Sequence, residues 1–255
     1  MEKKIVMLVG SGGGSSACSY NALKEEYNIL HVIVDGPMDK KKFIKRRIKK
    51  LGLFTVTGQL LFRTIMVPYL ERESKARVKE IAEQNNLLFN PIDEEMITQV
   101  PSVNSEECIA LLKELSPDIV VVNGTRIIAR KVLNCIPGIF VNTHAGMTPL
   151  YRGVHGAYWS KVNKDGLCGV SVHLVDPGID TGGILFQELI ETNKKDNFSS
   201  YTYLQMAKGI ELMKKALNSI INEEQKVIKN NLDSKLWSHP TIWFYLKHRI
   251  INKVK

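Results

Sequence analysis

The sequence lacks several features that commonly identify a function directly. Its four cysteines are widely scattered and include no Cys-x-x-Cys pair, and no His/Cys spacing resembles that of a zinc site. It contains no Gly-x-Ser-x-Gly elbow, no complete dinucleotide-binding fingerprint and no Walker loop. Scattered cysteines without a recognisable secretory leader predict reduced thiols in a cytoplasmic protein.

Long hydrophobic runs and evenly spread charge are also missing. The apolar stretch 58–70 is interrupted by Arg63 and Pro68, so we expect no membrane-spanning helix there. The net charge of +9 is concentrated in two patches, because residues 40–50 carry eight basic side chains and residues 246–255 carry four, with no acid in either. The remainder of the chain is slightly acidic, so the patches say little about the core function.

The order of apolar segments predicts an α/β fold. With 255 residues, 44% of them hydrophobic, the chain can bury a sizeable core. Strand-like runs alternate with helical patterns, which indicates a doubly wound, mostly parallel, Rossmann-like sheet. The predicted strands lie at residues 4–10, 29–34, 87–89, 118–122, 138–142 and 184–190.

The chain is expected to form one main domain with a short extension. We assign residues 1–225 to this domain, interrupted by a basic helical insertion at 38–70. Residues 226–255 form a basic, aromatic extension with a short helix. No internal repeat or low-complexity linker argues for a further division.

A glycine-rich turn follows the first predicted strand and precedes a helix. It contains Gly12, Gly13, Gly14 and Ser15. A strand, a glycine turn and a helix together place backbone amides around an anion, often a phosphate. These residues are therefore candidates for substrate binding, and a tight turn without a ligand is an equally open alternative.

Three polar side chains follow predicted strands later in the chain. Asn142 and His144 are two residues apart, so on a strand they point to the same face. Asp180 lies in a loop framed by proline and glycine after the next apolar run. A lone histidine or aspartate in such a place is usually structural, but an amide, an imidazole and a carboxylate together can transfer protons.

The spacing of these residues resembles a known family pattern. The pattern is Asn-x-His-x-Ser-Leu-Leu-Pro, often followed by Tyr-Arg-Gly, and then a histidine with an aspartate seven residues later. The sequence has Asn142-Thr143-His144-Ala145-Gly146-Met147-Thr148-Pro149, then Tyr151-Arg152-Gly153, then His173 and Asp180. It is similar to the folate-dependent formyltransferases, which act on glycinamide ribonucleotide, methionyl-tRNA or sugar nucleotides. The Ser-Leu-Leu portion is replaced here by Gly146-Met147-Thr148.

The resemblance implies a formyl-transfer reaction with 10-formyltetrahydrofolate as the donor and no metal. Asn142 and a protonated His144 would stabilise the oxyanion, and Asp180 would keep His144 charged and help remove the amine proton. Other family positions imply the folate contacts. The pterin would lie against the backbone of Arg126, Ile127 and Ile128, beneath a loop that contains Asp176 and Gly178.

The resemblance leaves the acceptor open. Tyr151, Arg152 and Gly153 are expected to bind the substrate, as in the transfer-RNA and sugar-nucleotide branches. We expect a phosphorylated or nucleotide-linked amino sugar, with glycinamide ribonucleotide as the alternative. Methionyl-tRNA is less expected, since about 65 residues after residue 190 are short for a second domain. A formyltetrahydrofolate deformylase is a further alternative.

Three other hypotheses concern binding rather than catalysis. A binding module without activity would not need Asn142, His144 and Asp180 together. A nucleic-acid partner rests only on the basic patches, and a single basic helix such as residues 40–50 is usually a solvated face. The same patches are candidates for a peripheral membrane contact, and the C-terminal helix is a candidate for packing on the main domain or in a homodimer.

Overall fold

The computed structural model describes residues 3–11 and 14–255. The strands are β1 (Ile5–Gly10), β2 (Ile29–Asp35), β3 (Ile97–Val100), β4 (Ile119–Asn123), β5 (Ile139–His144), β6 (Arg152–Gly153), β7 (Gly169–Leu174), β8 (Ile184–Leu189) and β9 (Leu236–Trp237). The helices are α1 (Gly14–Leu23), α2 (Lys40–Leu51), α3 (Leu53–Leu61), α4 (Val67–Gln84), α5 (Glu106–Leu115), α6 (Arg130–Leu133), α7 (Gly156–Asn163), α8 (Phe198–Ile221) and α9 (Ile242–Ile251). A π-helical turn at Phe62–Met66 joins α3 to α4, and a 3-10 turn at Glu94–Met96 precedes β3.

Seven strands form one mostly parallel sheet in the order β3-β2-β1-β4-β5-β7-β8. The first five in this order pair in parallel, whereas β7 is antiparallel to both of its neighbours. Strands β6 and β9 form a separate two-stranded parallel pair. The predicted doubly wound α/β fold with a helical C-terminal extension is confirmed.

The sheet is buried on both faces, which explains its near-continuous apolar strands. In β1, Ile5, Met7 and Val9 belong to the hydrophobic layer that includes residues of α1 and α8. Val6 and Leu8 point to the opposite layer, which includes residues of α5 and α6. The alternation follows from the two-residue period of a strand.

The strand predicted at residues 87–89 is wrong. Leu87 is buried, but it packs beside Cys18 and Ile81 between helices and not in the sheet. The edge of the sheet is formed instead by β3, whose Thr98 and Gln99 are exposed. This short apolar segment is therefore buried by packing between helices. Its local sequence pattern is the same as that of a short buried strand, so the sequence alone does not distinguish the two.

The apolar stretch that contains Arg63 and Pro68 is helical along its whole length. Helical structure is continuous over Leu53–Gln84, and by length and composition alone this helix could cross a membrane. Proline has no N–H to donate in a helix. A π-helical turn precedes Pro68, and in this turn the Val67 N–H donates to the Phe62 carbonyl. The turn shifts the register of the helical hydrogen bonds and so accommodates the proline.

The C-terminal extension packs on the helices at one end of the sheet. Trp237 stacks on Trp159 with ring centroids 4.6 Å apart, and the Trp159 indole N–H donates to the Ser238 carbonyl. Tyr245 of α9 is fully buried against Phe62 and neighbouring aromatic rings. The division of the chain at residue 225 stays a prediction.

Candidate active site

The ends of two neighbouring strands bring the predicted catalytic side chains together. Asn142 and His144 lie at the carboxyl end of β5, and Asn142 is paired in register with His173 of β7. Asp180 follows β7 in the loop to β8. Its Oδ2 lies 3.4 Å from His144 Nδ1, and its Oδ1 lies 3.8 Å from His173 Nε2. The structure thus gathers one amide, two imidazoles and one carboxylate.

The tautomer of His144 follows from its partners. Nε2 lies 2.6 Å from the Tyr151 carbonyl, which can only accept, so Nε2 carries a proton. Burial lowers the pKa of His144, and the opposing charge of Asp180 only partly offsets this effect. The lowered pKa favours a neutral imidazole, whereas the Asp180 carboxylate beside Nδ1 favours a charged one, so the protonated His144 stays a prediction.

His173 determines how Asn142 is oriented. Its Nδ1 lies 2.7 Å from the Leu174 carbonyl and donates to it, so its Nε2 accepts from Asn142 Nδ2 at 3.1 Å. The second N–H of the Asn142 amide stays available toward the cavity beside it. His173 has a position in the family pattern, but sequence reasoning gave it no role.

Asp180 is held ionised in a constrained position. Burial alone would raise its pKa, but the nearby imidazoles of His173 and His144 and the Gly153 N–H together lower it. The Gly153 N–H donates to Asp180 Oδ2 at 2.9 Å. The backbone of Asp180 is left-handed with φ of +50°, a conformation that costs a non-glycine residue about 1–3 kcal/mol and is common at functional sites.

Substrate binding by Tyr151 stays a prediction, and the side chain of this residue is turned into the protein. The residue is 0% exposed, and its hydroxyl donates to Asp165 and accepts from Asn163. Arg152 donates to the carbonyl of Ile179, in the Asp180 loop, at 3.0 Å. The Tyr-Arg-Gly segment therefore holds His144 through the Tyr151 carbonyl and holds the Asp180 loop through Arg152 and Gly153.

A cavity of about 430 Å³ opens beside this group, and we call it the larger cavity. Its lining includes Asn142, His144, Asp180 and Gly153, together with the segment Arg126, Ile127 and Ile128. The Arg126 guanidinium turns away toward β2, where its Nε donates to buried Asp35 at 2.8 Å. Arg126 can therefore contribute backbone to the cavity while its side chain fixes the segment to the sheet.

The loop with Asp176 and Gly178 forms another part of the same wall. The Asp176 carboxylate accepts from the Thr181 hydroxyl at 2.6 Å and from the Gly178 N–H at 3.0 Å. The Asp176 carboxylate thus stabilises the loop through hydrogen bonds within the loop. The loop reaches Asp180, so its shape sets where the carboxylate of Asp180 points.

A second cavity of about 210 Å³ lies on the other side of Gly124 and Thr143, which line both cavities. We call it the smaller cavity. Its wall includes hydroxyl and amide side chains from α1, β4 and α8, namely Ser15, Ser19, Asn123, Thr202 and Gln205. Gly14 begins α1 at its edge, and the predicted contacts Gly12 and Gly13 lie outside the described residues.

Sequence reasoning missed the residues that act through packing. Asp35 ends a strand and looks like an ordinary turn residue, yet it also accepts from the Val103 and Arg126 backbone N–H groups. Gln205 and Gly209 sit within the long helix α8 and carry no local signal. Only the three-dimensional neighbourhood of Thr143 reveals their place beside the smaller cavity.

Comparison with known proteins assigns the family. A family model described as Formyl transferase matches residues 64–217, which is more than half of the chain. The chain belongs to the formyl transferase family. The family match includes the segment with Asn142, His144, His173 and Asp180, which the geometry above singles out independently.

Curated relatives of this formyl transferase are named for one acceptor. The chain is similar to a methionyl-tRNA formyltransferase from Halothermothrix orenii, with 33% identity over 125 residues that cover 49% of the chain and 40% of that protein. It is 30% identical over 161 residues to one from Clostridium novyi, covering 62% of the chain and 49% of that protein. The chain therefore spans about half or less of the length of these relatives.

Solved structures share the fold at lower identity. A sugar N-formyltransferase from Shewanella sp. superposes with a TM-score of 0.57 at 17% identity, covering 92% of this chain and 76% of that one. A phosphoribosylglycinamide formyltransferase from Streptococcus pneumoniae gives a TM-score of 0.55 at 18% identity, covering 86% and 99%. These likenesses extend the fold to residues outside the family match.

Proposed function

We propose that the chain transfers the formyl group of 10-formyltetrahydrofolate to the primary amine of a small phosphorylated or nucleotide-linked acceptor. The acceptor we favour is an amino sugar nucleotide. The observation that carries this proposal is the convergence of Asn142, His144 and Asp180 on the larger cavity. The smaller cavity shares Gly124 and Thr143 with it, so a donor and an acceptor can meet beside the catalytic group.

The larger cavity suits a planar heterocycle that carries both donors and acceptors. Within residues 3–11 and 14–255, the backbone N–H groups of Ile127 and Ile128 make no hydrogen bond. Such groups in a cavity wall need a partner, and the ring nitrogens and the carbonyl of a pterin are suitable ones. Val122 and Val175 add apolar surface for the ring faces.

The formylated folate would supply an electrophilic formyl carbon. Asn142 then has a defined role, because its second amide N–H is free to donate to the oxygen of that carbon as negative charge develops there. His173 acts as a positioning residue, since its Nε2 fixes which face of the amide points into the cavity. The role needs no proton on His144.

The pair of His144 and Asp180 would receive the amine proton. His144 Nδ1 lies 3.4 Å from a carboxylate oxygen of Asp180, so a neutral His144 can take up one proton between these two atoms. The attacking amine loses a proton as its nitrogen bonds to the formyl carbon, and the pair holds this proton before returning it to the folate nitrogen that leaves. Asp180 stabilises the imidazolium that forms in between.

The smaller cavity and the helix beside it support the proposed acceptor. Hydroxyl and amide side chains suit the hydroxyls of a sugar, and the first turn of α1 carries no acidic side chain. A helix N-terminus favours a phosphate. Glycinamide ribonucleotide fits the same description and is the alternative. The names of the curated relatives favour methionyl-tRNA as a second candidate acceptor.

Binding measurements with a folate analogue present test the acceptor. We expect an amino sugar nucleotide to raise the melting temperature beyond the effect of the analogue alone, and Ser15→Ala to weaken this gain while leaving the effect of the analogue intact. If only glycinamide ribonucleotide or only methionyl-tRNA raises the melting temperature further, that compound is the acceptor and the amino sugar nucleotide is not. A cytoplasmic location and a homodimer stay predictions.

A further inference from the structure

The helical segment between β2 and β3 presents an apolar side to solvent. We call residues 40–69, which include α2, α3 and the π-helical turn, the hairpin surface. Its exposed apolar side chains recur at helical spacing, and Leu53, Phe54 and Ile65 are 65%, 73% and 55% exposed. Leu60, Leu61 and Tyr69 extend the same pattern. Only 28% of the most apolar 18-residue window of Leu53–Gln84 is buried.

The hairpin surface also carries a strong charge of one sign. Residues 40–69 contain nine lysine and arginine side chains and no acid. Eight of the nine lie in α2, none of whose residues is buried. The basic helix turns directly into the apolar helix at Gly52, whose φ of +82° makes the corner. Charge and apolar area are therefore neighbours on one surface.

The apolar helix lies along the body of the protein. Its inner side buries Phe62, Met66 and Leu70, and its polar residue Gln59 is fully hydrogen-bonded. Gln59 Nε2 donates to the His239 carbonyl at 2.7 Å, and its Oε1 accepts from Arg47 of α2 at 2.6 Å. One side of the helix is thus fixed to the protein, so the helix can offer only its outer side to a partner.

The C-terminal helix α9 continues the surface. Phe54 stacks on Trp243 with centroids 4.2 Å apart, and the Arg249 guanidinium lies 5.6 Å from the Tyr69 ring. Ile250 and Ile251 are the neighbouring exposed apolar side chains of α9. The apolar area is therefore wider than a single helix.

We propose that the hairpin surface docks the protein on an anionic lipid bilayer. A helix whose apolar side is exposed beside lysine and arginine side chains inserts that side among acyl chains while its charges meet anionic headgroups. A second copy of the chain fits less well, because an isologous contact would bring two acid-free basic helices together. RNA would satisfy the charge of α2 but would leave the exposed leucines uncovered.

Docking would leave the larger cavity near the bilayer. Helix α2 begins five residues after the end of β2, and Asp35 at that end holds Arg126 of the cavity wall at 2.8 Å. The surface and the cavity therefore share one edge of the sheet. The proposal does not depend on the reaction assigned to that cavity.

Vesicle flotation of the full chain tests the proposal. The probes are vesicles of phosphatidylcholine alone and vesicles with about a third phosphatidylserine. We expect flotation only with the anionic vesicles, weakened by salt. Lys41→Gln, Lys45→Gln and Lys49→Gln together should lower the partition coefficient about a hundredfold, from about fivefold for each charge. Leu53→Ser with Ile65→Ser should lower it by about a hundredfold as well.

Matched variants elsewhere control for charge and exposure. Lys194→Gln with Lys195→Gln and Lys229→Gln removes three exposed charges, and Leu189→Ser with Val227→Ser removes two exposed apolar side chains. Both should float like the original protein. The proposal is overturned if the protein does not float with anionic vesicles, or if the control and hairpin variants lose flotation equally. It is also overturned if Leu53 and Ile65 mediate RNA binding or dimerisation and the protein does not bind vesicles.

Discussion

Two histidines join the C-terminal extension to the main domain, and they predict a loss of stability in mild acid. His155 Nε2 and His239 Nδ1 are 2.9 Å apart, and His155 lies against the Phe198 ring. This contact needs one proton between two nitrogens, so at least the accepting imidazole is neutral. Burial lowers the pKa of His155 to about 3 and that of His239 to about 4. Nearby Arg47 and Arg63 add to the effect on His239.

The magnitude follows from proton linkage. An unfolded histidine titrates near 6.5, so each histidine binds more protons in the unfolded chain as the pH falls below that value. The stabilisation is complete above the unfolded pKa and is lost as the pH falls toward the folded values. Between about pH 7.5 and pH 5 the loss reaches up to about 2 kcal/mol for each histidine, or about 4 kcal/mol for the pair. Each side chain keeps some exposed area, so these are upper values.

Denaturant unfolding at the two pH values measures this loss. The fluorescence of Trp159 and Trp237 reports on the same interface. His155→Asn with His239→Asn removes both titrating groups, and asparagine tolerates the left-handed backbone at residue 155, where φ is +61°. The double variant should lose up to about 4 kcal/mol less stability on acidification than the original protein. His31→Asn, a partly exposed histidine elsewhere, is the control. Equal losses in the original protein and the double variant would refute the reasoning.

Two further predictions concern the support of the site. Tyr151→Phe leaves Asp165 without its hydroxyl partner, so we expect about 1–3 kcal/mol of destabilisation in chemical unfolding but a small change in kcat, since His144 binds only the backbone carbonyl. A fall in kcat beyond tenfold in a folded variant would contradict this. Gly209→Val places a carbon about 2.6 Å from the Thr143 methyl, so it should cost about 1–3 kcal/mol and raise the KM of the acceptor more than that of folate. Equal changes in both KM values would argue against the smaller cavity as the acceptor site.

The sequence predicts the parts of the fold that depend on local pattern. The buried strands β1 and β4 are apolar up to their last residue. The helix after Ser105 has its cap in the sequence, because the Ser105 side chain accepts from the Cys108 N–H. The pattern fails at β3, a four-residue edge strand with two exposed polar residues. The π-helical turn before Pro68 is likewise not visible in the pattern of apolar residues.

The candidate site shows a similar division. The pattern places Asn142 and His144 on one face of a strand end. Asp180 joins them because it follows the antiparallel strand β7, whose His173 pairs with Asn142. The role of Tyr151 is not readable in this way, since its side chain is buried and only its carbonyl reaches His144. The charge state of His144 depends on burial, which spacing does not report.

We propose that Asn142, His144 and Asp180 catalyse the transfer of a formyl group from folate to an amine. The most direct measurement is the rate of tetrahydrofolate release from 10-formyltetrahydrofolate with the best amine of an acceptor panel. We expect Asp180→Asn to lower kcat by about 10²–10⁴ and Asn142→Ala by about 10²–10³. The double variant should fall far less than the product of the two losses. Unchanged release in these variants, with Glu211→Gln as the control, or no release with any amine, would contradict the account.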